Sequence, residues 1–229
     1  MVTHTGFSPD DDRDLDALPL RERKKIQTGI RIWRTAIGLF AERDFDQVSV
    51  AEIAAAAEVS KMTVFNYFPT KEDLVMAPME QHLDEPARVV RERAPGASAV
   101  AALREQYLAA LEQHDPATGL SDEPLVLDVV RLIHRTPALA MRATAGFGRH
   151  AQGLLTTELL AQDPAHDELT AQIAAAQLLA ARLALTTENQ RRMLTGERAA
   201  AALPAALDRA ARAFALVEGG LGDYCAVAS

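Results

Sequence analysis

Between Ser60 and Leu74 the sequence reads SKMTVFNYFPTKEDL. Two ammonium groups (Lys61, Lys71), the hydroxyl of Thr63, the amide of Asn66, the phenol of Tyr67 and the rings of Phe65 and Phe68 fall close together. These groups recognise surfaces rather than break bonds. An ammonium donates to guanine O6 and N7, and threonine bonds a base edge or touches a thymine methyl. A tyrosine hydroxyl or a lysine donates to a phosphate. DNA is the partner such a set suits.

No comparable cluster points to catalysis. His134, His150 and His166 are scattered, without the paired histidines one turn apart that a helical metal site needs. TAGFGRH, from Thr144 to His150, follows no strand and is no nucleotide loop. The serine after TGL and the cysteine in YCA lack the sharp turn a nucleophile requires. Neither an enzymatic activity nor a cofactor nor a metal is expected.

The elements that hold the 60–74 stretch are legible from spacing. Ile26, Ile30, Trp33, Ile37 and Phe40 recur every three or four residues, so one apolar face runs along a helix from about Leu20 to Arg43. RDFD closes it, with Asp44 or Asp46 suited to a turn. Ser49 and Glu52 then form a capping box, which predicts a two-turn helix to Ala57. After EVS, Ser60 caps a second short helix through Tyr67. Pro69 ends it by excluding the helical conformation from its predecessor. Thr70 caps the next helix, with Glu72 and Asp73 at the positive end of its dipole. Two short helices joined by a tight turn after a longer support make a helix-turn-helix. In it Ile53, Ala54, Ala57, Val59, Val64 and Phe68 face inward together.

Further along, Pro78 and Pro86 kink or split the helical pattern that runs to Arg93. Helices follow at about 97–114 (Val100, Leu103, Tyr107, Leu108 and Leu111 inward), 122–135, 137–162, 166–194 and on to about Glu218. The fold class is all-α with about nine helices. The division is an acidic tail over 1–19, a DNA-binding domain over 20–70 and a larger helical domain over 71–229.

Charge and composition fit that division. The 229 residues carry a formal net charge of -8 with 48% hydrophobic residues. Residues 1–19 hold five aspartates against Arg13, whereas residues 20–71 hold nine Lys/Arg against six Asp/Glu. Acid therefore lies away from the reading segment. RERKK, from Arg21 to Lys25, is either a solvated helix end or an added source of phosphate contacts. One cysteine, Cys225, precludes a disulfide within the chain and suits a reducing cytoplasm. The polar start MVTHTGFSPDDDRDLD lacks the apolar centre of a secretory leader. AQIAAAQLLAARLALTT from Ala171 is broken by Gln172, Gln177 and Arg182 and does not read as a membrane span.

The long first helix, SVAEIAAAAEVS and the string FNYFPTKE together resemble the TetR family of bacterial transcriptional regulators, and the last string is highly specific to it. The likeness rests on residues 20–75. The rest is similar to the family only in length and helical character. The resemblance implies a dimer whose second short helix enters successive major grooves of a palindromic double-stranded operator. By position it implies that Lys61, Met62, Thr63 and Phe65 approach base edges, while Tyr67, Lys71 and Ser49 hold phosphates. Family members commonly have glycine where Asp44 and Glu58 stand here, so Glu58 is expected to carry a left-handed backbone or to build its turn differently.

The resemblance further implies a homodimer through the last two helices and a small-molecule effector among the middle ones. AQLLAARLAL and AAALPAALDRAARAFALV are apolar around much of their circumference, which suits either a dimer interface or a monomer core. Tyr107, His134, Met141, Phe147, His150, Gln177 and Asn189 are the candidate effector contacts, His114 standing with them, against the plainer role of core or surface residues. An alanine-rich lining poor in aromatics favours an apolar or amphipathic effector. The expected function is a cytoplasmic repressor released by that effector. The alternatives are a helical dimerisation or adaptor protein without DNA binding, or a helical enzyme.

Overall fold

The computed structural model describes residues 18–220, and all its regular elements are helical. Most of the acidic tail and Cys225 lie outside the described residues. Eleven α-helices occur among them, two more than expected, for local reasons. Pro86 opens a separate helix after the 81–84 break, while Pro78 is absorbed within its helix. A π-helical segment divides the 137–162 helix.

The chain forms two compact units. The first takes the described residues up to His82 together with Asp128–Thr144. It contains α1 (Leu20–Glu42), a 3-10 turn over Phe45–Gln47, α2 (Val50–Ala56), α3 (Lys61–Tyr67), α4 (Lys71–Glu80) and α8 (Pro137–Met141). α1 packs on α2 and α4, and α2 on α3. Ile26, Trp33, Ile37 and Phe40 are buried as their spacing demands, and Ile32 and Ala36 join them. The core continues through Ile53, Val64, Phe68 and Leu74.

A sequence boundary at residue 70 therefore cuts through this unit instead of bounding it. Leu74, Val75 and Met76 on α4 are fully buried, which ties α4 to the core that α1 supplies. Leu132 and Leu139 of the returning segment are buried too. Its Arg135 donates to the carbonyls of Phe40 and Arg43, at the end of α1 where helix carbonyls lack intrahelical partners.

The second unit holds α5 (Glu85–Glu92), α6 (Ala99–Glu112), a 3-10 turn over Pro116–Thr118, α9 (Gly148–Gln162), α10 (Glu168–Leu194) and α11 (Ala199–Gly219). α7 (Pro124–Arg135) changes unit at Asp128, and the π segment Arg142–Phe147 does so after Thr144. α9 and α11 flank α10, and α6 packs on α5 and α11. Leu103, Tyr107, Leu111, Leu178, Met193 and Phe214 centre this core. By length and composition alone α10 could cross a membrane. Here it packs on α9 and α11 and carries Arg182, Glu188, Arg191 and Arg192.

Gly119 follows the 3-10 turn with φ +75°, and a Cβ there would lie 2.4 Å from the backbone oxygen of Thr186. Only glycine lets the turn come this close to α10.

Candidate nucleic-acid interface

α2 starts from a closed capping box. The Ser49 hydroxyl accepts from the Glu52 N–H (3.2 Å), and a Glu52 carboxylate oxygen accepts from the Ser49 N–H (2.8 Å). Arg43 reaches the other carboxylate oxygen at 2.9 Å. The Ser49 backbone N–H, the Ser49 hydroxyl and Arg43, in that order, hold the Glu52 carboxyl down at about 2. The Ser49 hydroxyl is thus already engaged in the cap, also donating to Glu52 at 2.8 Å.

The turn from α2 to α3 puts Glu58 at φ +54°, the left-handed conformation glycine would take freely. Asp44 does not share it: its backbone is extended, and the 3-10 turn begins after it. His114 is left-handed as well (φ +55°), a feature with no sequence signal comparable to the missing glycine at 58.

Ser60 caps α3, its hydroxyl accepting from the Thr63 N–H at 3.0 Å. The Thr63 hydroxyl is 2.8 Å from the same oxygen, so Thr63 is drawn into the cap and is only half-exposed. Val64 and Phe68, one turn apart, are buried. Lys61, Met62, Phe65 and Asn66 form the opposite, exposed face. Met62 at 68% and Phe65 at 38% are exposed hydrophobics that no fold needs on its surface. The Lys61 ammonium lies 5.7 Å from the centre of the Phe65 ring. Tyr67 is half-buried at the flank, its ring 6.3 Å from that of Phe68. Asn66 belongs to the exposed set as fully as the residues singled out by the family pattern. Its exposure follows from lying one turn beyond Met62.

Lys71 is placed differently from its sequence reading as a phosphate donor. Its ammonium donates to the carbonyls of Phe45 (2.7 Å) and Val48 (3.2 Å) and sits 4.2 Å from the centre of the Phe45 ring. The 3-10 turn presents those carbonyls toward α4, and periodicity cannot foresee such a contact. Arg21 and Lys24 are exposed near the start of α1.

The candidate effector residues are divided between the two units. His134 and Met141 belong to the first unit and are exposed, Met141 by 69%. In the second unit His150 and Gln177 are exposed and Phe147 is half-buried. A polar residue in an apolar helix can face solvent as well as core, so spacing alone does not fix which side it takes. Tyr107 and Asn189 are the two that converge. The Tyr107 hydroxyl donates to the Thr118 carbonyl at 3.3 Å, and the Asn189 amide donates to the same oxygen at 3.0 Å. Burial pushes the Tyr107 phenol up.

Around them stand residues the sequence did not mark. Arg209 donates to the Asn189 amide oxygen at 3.0 Å, and burial pushes its pKa down. The Arg182 guanidinium is 5.7 Å from the Tyr107 ring centre and pairs with the buried Glu85 carboxylate at 3.0 Å. Arg182 Nη1 and Arg209 Nε are buried with no hydrogen-bond partner among the described residues.

Residues 32–77 match the family described as bacterial regulatory proteins, tetR family. The chain is similar to the HTH-type transcriptional regulator TcmR of Streptomyces glaucescens, 31% identical over 122 residues, 52% of this chain and 54% of that protein. It is 41% identical over 64 residues to the HTH-type transcriptional regulator LuxR of Vibrio harveyi, 27% of this chain and 31% of that one. The chain thus spans about half, or less, of the curated relatives it matches. Among solved structures it is similar to NalD, the secondary repressor of the MexAB-OprM multidrug efflux pump in Pseudomonas aeruginosa. The TM-score is 0.54 at 18% identity, over 82% of this chain and 96% of that one. Salmonella enterica GusR gives 0.53 at 22% identity, over 85% and 95%. At these identities the likeness is one of fold.

Proposed function

We propose that this chain, which belongs to the tetR family of bacterial regulatory proteins, is a dimeric DNA-binding repressor that a small-molecule effector releases from its operator. One observation carries the reading: a short helix capped by Ser60 exposes Lys61, Met62, Phe65 and Asn66 while burying Val64 and Phe68 behind them. A helix held this way presents side chains to a major groove. Lys61 suits guanine, Asn66 adenine, and Met62 and Phe65 the thymine methyl. Tyr67 and the N-terminus of α2 at Ser49 face phosphates in this reading, and Thr63 contributes its methyl group rather than its hydroxyl. Lys71 acts from within, bracing the turn before α2.

A homodimer is supported by Leu169, Ile173 and Leu183 of α10 and Leu216 of α11, large apolar side chains left exposed. Covering them with a second copy would pair two reading helices on a two-fold axis, and the operator would be a palindrome. Repression is supported by likeness of fold to NalD, described as a repressor. The place of action is the cytoplasm, where the DNA is.

For the effector, the convergence of Tyr107 and Asn189 on Thr118 supports the second unit as its receptor. The unpartnered N–H groups of Arg182 and Arg209 favour a molecule with an acceptor group on an apolar body.

The test is binding to DNA selected from a random library, followed by the same selection with variants. Asn66→Ala and Met62→Ala should change the preferred sequence. Tyr67→Phe should weaken all sequences alike. If the chain selects no sequence, or if all three variants select the wild-type one with undiminished affinity, the reading fails.

A further inference from the structure

Arg142 stands at the first residue of the π-helical segment, in the stretch Asp128–Thr144 that returns to the first unit. Its guanidinium bridges two carboxylates of α4, Asp73 and Glu80, the latter at 3.0 Å. Those residues stand at opposite ends of α4, about two turns apart. One cation therefore grips the whole length of that helix.

The first of the two carboxylates has a second task. Asp73 accepts from the Thr70 N–H at 2.8 Å with its other oxygen, closing the cap that starts α4. Beside Thr70, Lys71 is bonded to the carbonyls of Phe45 and Val48. Val48 directly precedes Ser49, the cap of α2, and α2 packs on α3. A path thus runs from Arg142 through Asp73 to Thr70, across the peptide bond to Lys71, and through its hydrogen bonds to the loop that precedes α2.

We infer that Arg142 is a positioning residue for DNA reading: by bridging Asp73 and Glu80 it fixes α4, and through Lys71 it fixes the entry into α2 and α3. The inference rests on the proposed function for its consequence in binding, and on the contacts alone for its consequence in the free chain. Arg142 lies 69 residues from Asp73 and 62 from Glu80 in sequence. The reading domain is accordingly incomplete without a segment far outside its family motif. Arg142 needs no contact with DNA, because carboxylates already neutralise its charge.

The experiment compares the full-length chain with Arg142→Gln, Arg142→Lys and Glu80→Gln. Hydrogen exchange is followed in the free proteins, and binding to library-selected DNA is followed across a salt series. In Arg142→Gln, amide exchange across 50–67 should rise about fivefold, with 168–219 unchanged, since stability differs locally within a fold. Affinity should fall about tenfold, the scale of a lost charge-assisted hydrogen bond. The slope of log affinity against log salt should stay as in wild type. Arg142→Lys, with one ammonium in place of a fork, should restore part of both effects.

A slope flattened by about one would identify a direct phosphate contact and overturn the inference. So would faster exchange confined to 71–80, or exchange across 50–67 that matches wild type. If Arg142→Gln fails to fold, as judged by circular dichroism, Glu80→Gln decides, because it leaves the Thr70–Asp73 cap intact. Its 50–67 exchange should rise by a smaller factor, and no rise overturns the inference. A wild-type chain that binds no DNA refutes the proposed function, while the exchange data still decide the role of Arg142.

Discussion

The ammonium of Lys71 donates to the carbonyl of Phe45 at 2.7 Å and rests 4.2 Å from the centre of that residue's ring. Those contacts make this lysine an internal brace. Lys71→Met keeps the length of the side chain and removes the bonds. Operator affinity should drop about tenfold with no change in its salt slope, read by fluorescence anisotropy at several salt concentrations. A lost phosphate contact would instead lower the slope by about one.

Glu58 occupies the left-handed conformation (φ +54°) between α2 and α3. That conformation costs a non-glycine residue about 1–2 kcal/mol. Glycine relieves that strain, while its greater freedom in the unfolded chain offsets part of the gain, so Glu58→Gly should stabilise by roughly 0.5–1 kcal/mol. A denaturant titration followed by circular dichroism gives the number, and a decrease would contradict the strain.

Gly119 meets the opposite constraint. Its φ is +75°, and an added Cβ would fall 2.4 Å from the Thr186 backbone oxygen, so either the turn or α10 must move. Gly119→Ala should destabilise by about 3 kcal/mol, combining backbone strain with overpacking. Hydrogen exchange should rise in α6 and α10 while α1 keeps its wild-type protection.

The cap of α2 has a defined pH dependence. The Glu52 carboxyl sits at about 2, below its ordinary 4.5, chiefly because the Ser49 backbone N–H bonds the ionised form. A depressed carboxyl stabilises the fold fully above the ordinary value and loses that contribution as pH falls through the depressed one. Carbon NMR of the Glu52 side chain should therefore titrate near pH 2. In Ser49→Ala the midpoint should climb part of the way back, since the hydroxyl bond goes and the backbone bond stays.

How far the sequence revealed these features depends on the range of the interaction. Ser49 with Glu52, Ser60 with Thr63 and Pro69 act within one turn of chain, and the helix bounds they imply agree with the structure to a residue or two. The apolar face of α1 was equally plain, because its period is fixed by helix geometry. Arg135 and Arg142 left no such trace: their partners lie 62 to 95 residues away, and no local pattern distinguishes them from solvated arginines. Tyr107 and Asn189 could be picked out as polar among apolar neighbours. That they share the Thr118 carbonyl depends on the 3-10 turn lying between α6 and α10. His134, Met141, His150 and Gln177 met the same criterion yet point to solvent. Residue type alone does not say which side of a helix is covered.

The chain has a single tryptophan, Trp33, and it is 4% exposed in α1. Its intrinsic emission therefore watches the first unit alone, and the second is dark whenever indole is selectively excited. Emission that shifts at lower denaturant than the helical ellipticity would mean that the first unit melts while α10 and α11 persist. An intrinsic dye already sits in the core of the first unit, so a titration with DNA needs no added label.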